Sequence, residues 1–180
     1  MDISEITKTI ENLNNQITEL KAKAAEESKA AFNKTLKKFF KETPEIKIVQ
    51  WAQYTPYFND GDACEFSVGE LNFFKDKEDM NECEEPYEYN YYRPPSDYSF
   101  KAAKNPNNRY YESCKKEIDN WNNLIETIGQ ERIDQINKNC NSLNKMFRMI
   151  SYENFLVMFG DHVEITATAD GFSVDKYSHD

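Results

Sequence analysis

The chain has 180 residues, of which 39% are hydrophobic and 14% aromatic, and its formal net charge at pH 7 is −10. This size predicts one ordinary domain, or a small domain with a helical extension, and the composition permits an aromatic-rich core. The acidic excess disfavours ordinary binding to a nucleic-acid backbone, because phosphate contacts require clusters of Lys and Arg.

The first predicted element is a long helix over residues 1–43. Asp2 and Glu5 are spaced as an N-terminal capping pair, and Pro44 prevents the helix from continuing. Apolar residues recur at alternating spacings of three and four, which is the a/d pattern of a coiled-coil heptad. We therefore expect this seam to contact another helix, either in the same chain or in a second copy that forms a homo-oligomer. The seam residues are Ile3, Ile6, Ile10, Leu13, Ile17 and Leu20.

Residues 44–74 are predicted to form a β-hairpin. Side chains alternate along this segment, and Asp60-Gly61 is typical of a type I′ turn, so we expect a positive φ angle at Gly61. Aromatic side chains that point away from the core are candidate partner contacts, because Tyr and Trp are frequent at the energetic centres of interfaces. The candidates in this segment are Trp51, Tyr54 and Tyr57.

Residues 75–105 are predicted to be an acidic, Tyr-rich loop, which Pro94 and Pro95 keep from forming a regular element. Three interpretations stay open: a solvated loop, a surface that binds a basic protein partner, and an acidic mimic of nucleic acid. The partner-binding candidates in the loop are Glu82, Glu84, Glu85, Tyr87, Glu88, Tyr89 and Tyr91.

Residues 106–150 are predicted to form a second long helix, whose apolar phase slips near Gly129. A helix–turn–helix at that glycine is the alternative. The apolar stripe Ile118–Ile128 is one possible partner for the seam of the first helix. Whether the long helices pair within one chain or between chains stays open, as does their direction, with a parallel arrangement slightly favoured.

Residues 151–180 are predicted to form a short helix followed by a C-terminal β-hairpin. Ser151 is a suitable cap for the helix, Gly160 ends it, and Asp170-Gly171 marks the hairpin turn. Because isolated hairpins are marginally stable, both hairpins are expected to share one sheet. The predicted fold class is therefore α+β, with two long coiled-coil-like helices and a small, mostly antiparallel sheet in one structural domain.

Two groups of residues suggest metal binding or catalysis as an alternative to protein binding. Asn59, Asp60 and Asp62 could ligate a hard cation through oxygen atoms, and Asp161 with His162 could supply acid–base catalysis. Together they suggest a metal-dependent hydrolase as the alternative function. Against this, a turn tip holds ligands in poor convergence, and no recognised nucleophile motif accompanies the histidine. The favoured interpretation therefore contains no catalytic residue, no cofactor and no metal.

Two β segments resemble uncharacterised proteins of tailed bacteriophages. The resemblance is carried by QYTPYFNDGD at residues 53–62, and by FGDHV at residues 159–163 with the D-G hairpin and the YSHD that follow. It implies a phage or phage-like source and a bacterial cytoplasm as the setting, and it assigns no activity. The four cysteines lack metal-binding spacing. The first residues have neither the basic start nor the apolar run of a secretory signal, so none is expected, and the longest wholly apolar run, Phe155–Phe159, is too short to span a membrane.

The predicted function is a non-enzymatic, phage-type protein-binding module. Its partner would be a protein with a basic surface, either a host protein (in host takeover or counter-defence) or a component of a phage assembly. Neither a membrane nor nucleic acid is expected as a direct partner.

Overall fold

A computed structural model of the chain describes residues 2–58, 60–82 and 94–178. By its contacts the chain divides into two compact units, Met1–Tyr89 with Ser142–Asp180, and Asn90–Asn141, where the sequence predicts one domain. The first unit holds the sheet and most of the aromatic core. The second is helical in its described residues.

The first unit begins with the long helix α1 (Ile3–Glu42), which confirms the predicted N-terminal helix. Asp2 and Glu5 form a capping box at its start, and Thr43, next to Pro44, is the C-cap. The helix has two different parts. Its C-terminal half buries Ala25, Phe32, Leu36, Phe39 and Phe40, whereas the six seam residues near its start are between 42% and 80% exposed.

The α+β class is confirmed by a five-stranded antiparallel sheet. Its strands are β1 (Ile48–Tyr54), β2 (Ser67–Val68), β3 (Asn72–Phe74), β4 (Val163–Thr168) and β5 (Gly171–Lys176). They lie in the order β2-β1-β4-β5, and β3 also pairs with β1. The two predicted hairpin regions therefore share one sheet, through the pairing of β1 with β4.

The first hairpin differs from the prediction over residues 44–74. Three strands occupy the segment, and the chain from residue 55 to residue 66 separates β1 from β2. Asp60 and Gly61 do have positive φ angles, of 38° and 97°, but they lie within this long loop. Pro56 explains the early end of β1, because proline has no N–H to donate to a strand ladder.

Trp51 lies in the core, which corrects its prediction as a partner contact. The side chain is fully buried on the inner face of β1, with phenylalanine rings packed around it. Its edge-on contacts are typical of aromatic clusters, with ring centroids 5.3 to 6.4 Å away. The surrounding rings are Phe32, Phe147, Phe155, Phe159 and Phe172.

The helical predictions need two corrections. Residues 106–150 contain two helices, α4 (Tyr111–Ile128) and α5 (Gln130–Phe147), because Gly129 has φ +85° and ψ 145°, which no helix accommodates. The predicted loop over residues 75–105 also contains the short helices α2 (Lys77–Glu82) and α3 (Asp97–Ala102). A final helix, α6 (Tyr152–Phe159), is capped by Ser151 and ends at Gly160, as predicted.

Candidate partner-binding site

One carboxylate joins the end of β1 to the start of β4. Asp161 Oδ1 accepts hydrogen bonds from the backbone N–H groups of Thr55 and His162, both at 2.8 Å. Its Oδ2 accepts a third bond from the hydroxyl of Thr55, at 2.7 Å. The loop that follows β1 is therefore tied to the segment that precedes β4, although the two lie far apart in the sequence.

These hydrogen bonds set the ionisation of Asp161. Partial burial alone would raise the pKa of its carboxyl group, but the bonds from Thr55 and His162 outweigh that effect and lower the pKa. A carboxylate with a lowered pKa is a weak general base, and both oxygens are already occupied. The Nε2 atom of His162 lies 3.8 Å from Oδ2, which is beyond hydrogen-bond distance. We therefore assign Asp161 a structural role.

The interior supports this junction through a buried amide. Gln53 is fully buried on β1, and its Nε2 donates hydrogen bonds to the backbone carbonyls of Phe155 and Gly160. Gly160 is the C-cap of α6, where a backbone carbonyl has no donor within the helix, and Phe155 lies just over one turn earlier. Because Asp161 follows Gly160 directly, Gln53 fixes the point from which the Asp161 side chain reaches Thr55.

Aromatic side chains surround the junction. The ring of Tyr57 stacks on the imidazole of His162, with centroids 4.7 Å apart and planes 10° from parallel. Tyr54 contacts Tyr177 at a centroid distance of 5.4 Å, and the Tyr177 N–H donates to the His162 carbonyl at 2.8 Å. We call this group, with the adjacent Phe58, the aromatic corner. Its members are Tyr54, Tyr57, Phe58, His162 and Tyr177.

The outer part of the aromatic corner is exposed to solvent. Tyr57 is 66% exposed and Phe58 is 76% exposed, and these two large side chains are adjacent in the sequence. Tyr57 rests on a fixed base, because the backbone of His162 is bonded to Asp161 and to Tyr177. The Tyr57 ring is therefore held in place by its stack on His162, and the adjacent Phe58 adds exposed apolar area beside it.

The structure brings together some of the residues predicted from sequence and separates others. Tyr54, Tyr57, Asp161 and His162 meet at one end of the sheet. Thr55 and Tyr177 also belong to the site, but the sequence does not predict them. Thr55 lies more than a hundred residues before His162, and no sequence pattern links either residue to that histidine.

The alternative metal ligands lie partly outside the described residues. Among residues 2–58, 60–82 and 94–178, no three His, Cys, Asp or Glu side chains are grouped so that they could hold a metal ion. Asp60 and Asp62 lie exposed in the loop after β1, and Asn59 is outside the described residues. The proposed ligands and the Asp161–His162 pair thus form no common site within the described part of the chain.

The acidic partner-binding candidates fall mainly outside the described residues. This applies to the side chain of Glu82 and to the whole of Glu84, Glu85, Tyr87, Glu88, Tyr89 and Tyr91. Their contribution to binding stays a prediction from the sequence.

No protein-family model, curated protein or solved structure matches the chain. Among the described residues, no helix is both long enough and apolar enough to cross a membrane.

Proposed function

We propose that this protein is a non-enzymatic protein-binding module and that the aromatic corner is its main contact surface. The observation that carries the proposal is the pair Tyr57 and Phe58, two adjacent aromatic side chains that stay largely exposed beside a hydrogen-bonded junction. Exposed tyrosine and other aromatic side chains are enriched at the energetic centres of protein interfaces, and the stack on His162 holds Tyr57 in place.

The physical basis is the burial of apolar area at low entropic cost. Complete burial of a large apolar side chain contributes about 1.5 to 3 kcal/mol. Burial of both Tyr57 and Phe58 would therefore supply a substantial part of the free energy of binding. Tyr57 is already stacked on His162, so binding would restrict its rotation less than that of a free side chain. The corner therefore suits a partner with a complementary apolar pocket.

Charge supports a basic surface on the partner. Residues 44–106 carry a net charge of −7 and residues 151–180 carry −5, and these two segments contain the aromatic corner. Opposite charges on the partner would accelerate association and orient it, while the aromatic side chains would provide most of the affinity. The resemblance of both β segments to tailed-phage proteins supports a bacterial cytoplasm as the setting, with a host protein or a phage assembly as the partner.

The proposal is tested by affinity capture with a matched pair of variants. Tyr57→Ala combined with Phe58→Ala should abolish capture of a specific protein from bacterial lysate. The control is Tyr98→Ala with Phe100→Ala, which removes the same residue types from positions that are 54% and 40% exposed on α3. Equal capture by the two variants and the unmodified chain would contradict the proposal.

A second variant tests the acidic segment separately. Lys substitutions at Glu82, Glu84, Glu85 and Glu88 should leave folding intact and abolish capture, since they reverse the charge that attracts a basic partner. Capture that survives this reversal but is lost in the Tyr57/Phe58 variant would assign binding to the aromatic corner alone. If the captured protein binds nucleic acid and is released by salt, the acidic-mimic interpretation replaces this one.

A further inference from the structure

The first half of α1 has an apolar face that the described part of the chain leaves uncovered. Its least exposed seam residue, Ile6, is 42% exposed and its most exposed, Ile3, is 80% exposed. Six large aliphatic side chains in a row on one helix face are unusual on a surface in contact with water. We therefore expect another helix to pack against this face, and the residues that form the face indicate which helix.

The seam and the core-facing side of α1 point in different directions. Ala24, which continues the seam spacing after Leu20, is exposed, whereas Ala25 is the first residue of the helix buried against the core. Consecutive helical residues are rotated by about 100°. Phe32 and Leu36, which follow Ala25 on the buried side, keep that orientation. The core therefore does not continue the seam, and it leaves the seam open along its whole length.

The residue types along the seam favour two parallel strands. With Ile3 at the first a position, every a position up to residue 17 is isoleucine, and two of the three d positions are leucine. β-Branched residues at a, with leucine at d, are the combination that favours parallel two-stranded coiled coils. The a residues are Ile3, Ile10, Ile17 and Ala24, and the d residues are Ile6, Leu13 and Leu20.

The residues that flank the seam allow identical chains to pair. In a parallel pair, a g residue of one helix lies beside the e residue five positions later in the other. Thr9 would meet Asn14, and Gln16 would meet Lys21, so neither contact brings like charges together. The seam also has a defined end, because the d position after Leu20 is Glu27, which would place two carboxylates opposite each other.

We propose that residues 3–24 of α1 form a parallel, in-register, two-stranded coiled coil with a second copy of this chain. The seam residues of both copies interlock along about three heptads, which correspond to roughly 30 Å of helix. The proposal does not depend on the aromatic corner, which lies at the sheet and is tested separately.

Sedimentation equilibrium of the full chain tests the pairing. The unmodified protein should have twice the chain mass of 21.2 kDa, and Ile10→Asp with Ile17→Asp should raise the dissociation constant by at least about a hundredfold, since both charges would be buried at apolar contacts. The control is Asn15→Asp with Ala22→Asp, which adds the same charges, seven residues apart, on the opposite face of the helix. It should stay dimeric.

Loss of folding is distinguished from loss of pairing by near-ultraviolet circular dichroism, which reports the aromatic core around Trp51. The Ile10/Ile17 variant should keep this signal, because neither side chain contacts the core. A monomeric unmodified chain at high micromolar concentration would overturn the proposal. So would a trimer or tetramer, or a control variant that dissociates as readily as the seam variant.

Cysteine cross-linking tests the direction, in a background with Cys64→Ser and Cys83→Ser. In the Ile6→Cys variant, the new thiol of one chain should form a disulfide with the same thiol of the second chain. Identical d positions face each other only in a parallel, in-register pair. Lys8→Cys, on the outer face, should not form one. If Ile6→Cys fails to cross-link with itself but does so when mixed with Ile17→Cys, the helices are antiparallel and the proposed geometry is wrong.

Discussion

Glu164 on β4 lies directly opposite Asp175 on β5, so two carboxylates face each other across one rung of the antiparallel ladder. Burial raises the pKa of Glu164, and the negative charge of Asp175 raises it further. Like charges at directly opposed positions destabilise a strand pair. The C-terminal hairpin therefore forms in spite of this repulsion. The complete burial of Ile165 and Ala167 on the inner face of β4 stabilises the hairpin and offsets it.

Glu164→Gln should increase the free energy of unfolding at pH 7 by about 0.5 kcal/mol, because it removes the repulsion from Asp175. Folding raises the pKa of Glu164 above its unfolded value of about 4.3. Its contribution to stability is therefore complete below pH 4.3 or so and is lost as the pH rises through the folded pKa. Urea unfolding at several pH values should show the gain at pH 7 and its disappearance in acid. Glu65→Gln, in an exposed loop, is the control and should have little effect.

Asp161→Asn should lower the free energy of unfolding at pH 7 by about 1 kcal/mol, allowing for the partial exposure of the carboxylate. Folding lowers the pKa of Asp161 below its unfolded value of about 3.9, so the stabilisation is present above that pH and is lost as the pH falls through the folded pKa. Urea unfolding should therefore show a deficit at pH 7 that shrinks below pH 3.9 or so. The control is Asp62→Asn, in the exposed loop. Equal deficits at both positions would contradict the structural role assigned to Asp161.

Gly129→Ala should destabilise the protein by about 1 to 2 kcal/mol. An added Cβ would meet no atom within 4 Å, so the cost arises from the backbone conformation, which L-residues rarely adopt. Thermal unfolding of this variant should be compared with that of Asn122→Ala, an exposed position within α4, where alanine favours the helix. A neutral Gly129→Ala variant would show that α4 and α5 can join into one continuous helix.

Cys140 should resist thiol reagents in the folded protein. Burial raises the pKa of its thiol to about 12, although a backbone hydrogen bond opposes the shift. At pH 8 the reactive thiolate would be about a thousandfold scarcer than at an ordinary cysteine. In a Cys83→Ser background, a colorimetric thiol assay should detect the exposed Cys64 first, and Cys140 only after denaturation. Rapid native labelling of Cys140 would contradict this prediction.

The sequence predicts those features whose determinants lie close together along the chain. Asp2, Glu5 and Pro44 define the ends of α1, and Ser151 with Gly160 defines α6. At Gly129 the sequence predicts two helices only as the alternative, because a phase slip in the apolar pattern indicates a change in helix direction without distinguishing a bend from two helices.

Features that depend on distant contacts were not predictable from the sequence alone. Alternation along β1 places Trp51 on one face of a strand, but the five phenylalanine rings that bury it come from four other elements. The bonds from Thr55 to Asp161 likewise join residues 106 positions apart. These bonds depend on the pairing of β1 with β4, which no local pattern specifies.

That pairing has a consequence for how the protein folds during synthesis. β1 pairs with β4 over residues that are roughly 110 to 118 positions apart, so the centre of the sheet cannot form until β4 has left the ribosome. Until then Trp51 and its neighbours on β1 lack most of the rings that cover them, and the strand has an unpaired edge of the kind that promotes aggregation. The helix α1 can form early, since its contacts are local, but the sheet must close loops of high sequence separation, which is slow. The nascent chain should therefore bind chaperones for most of its synthesis and complete its core in a single late step.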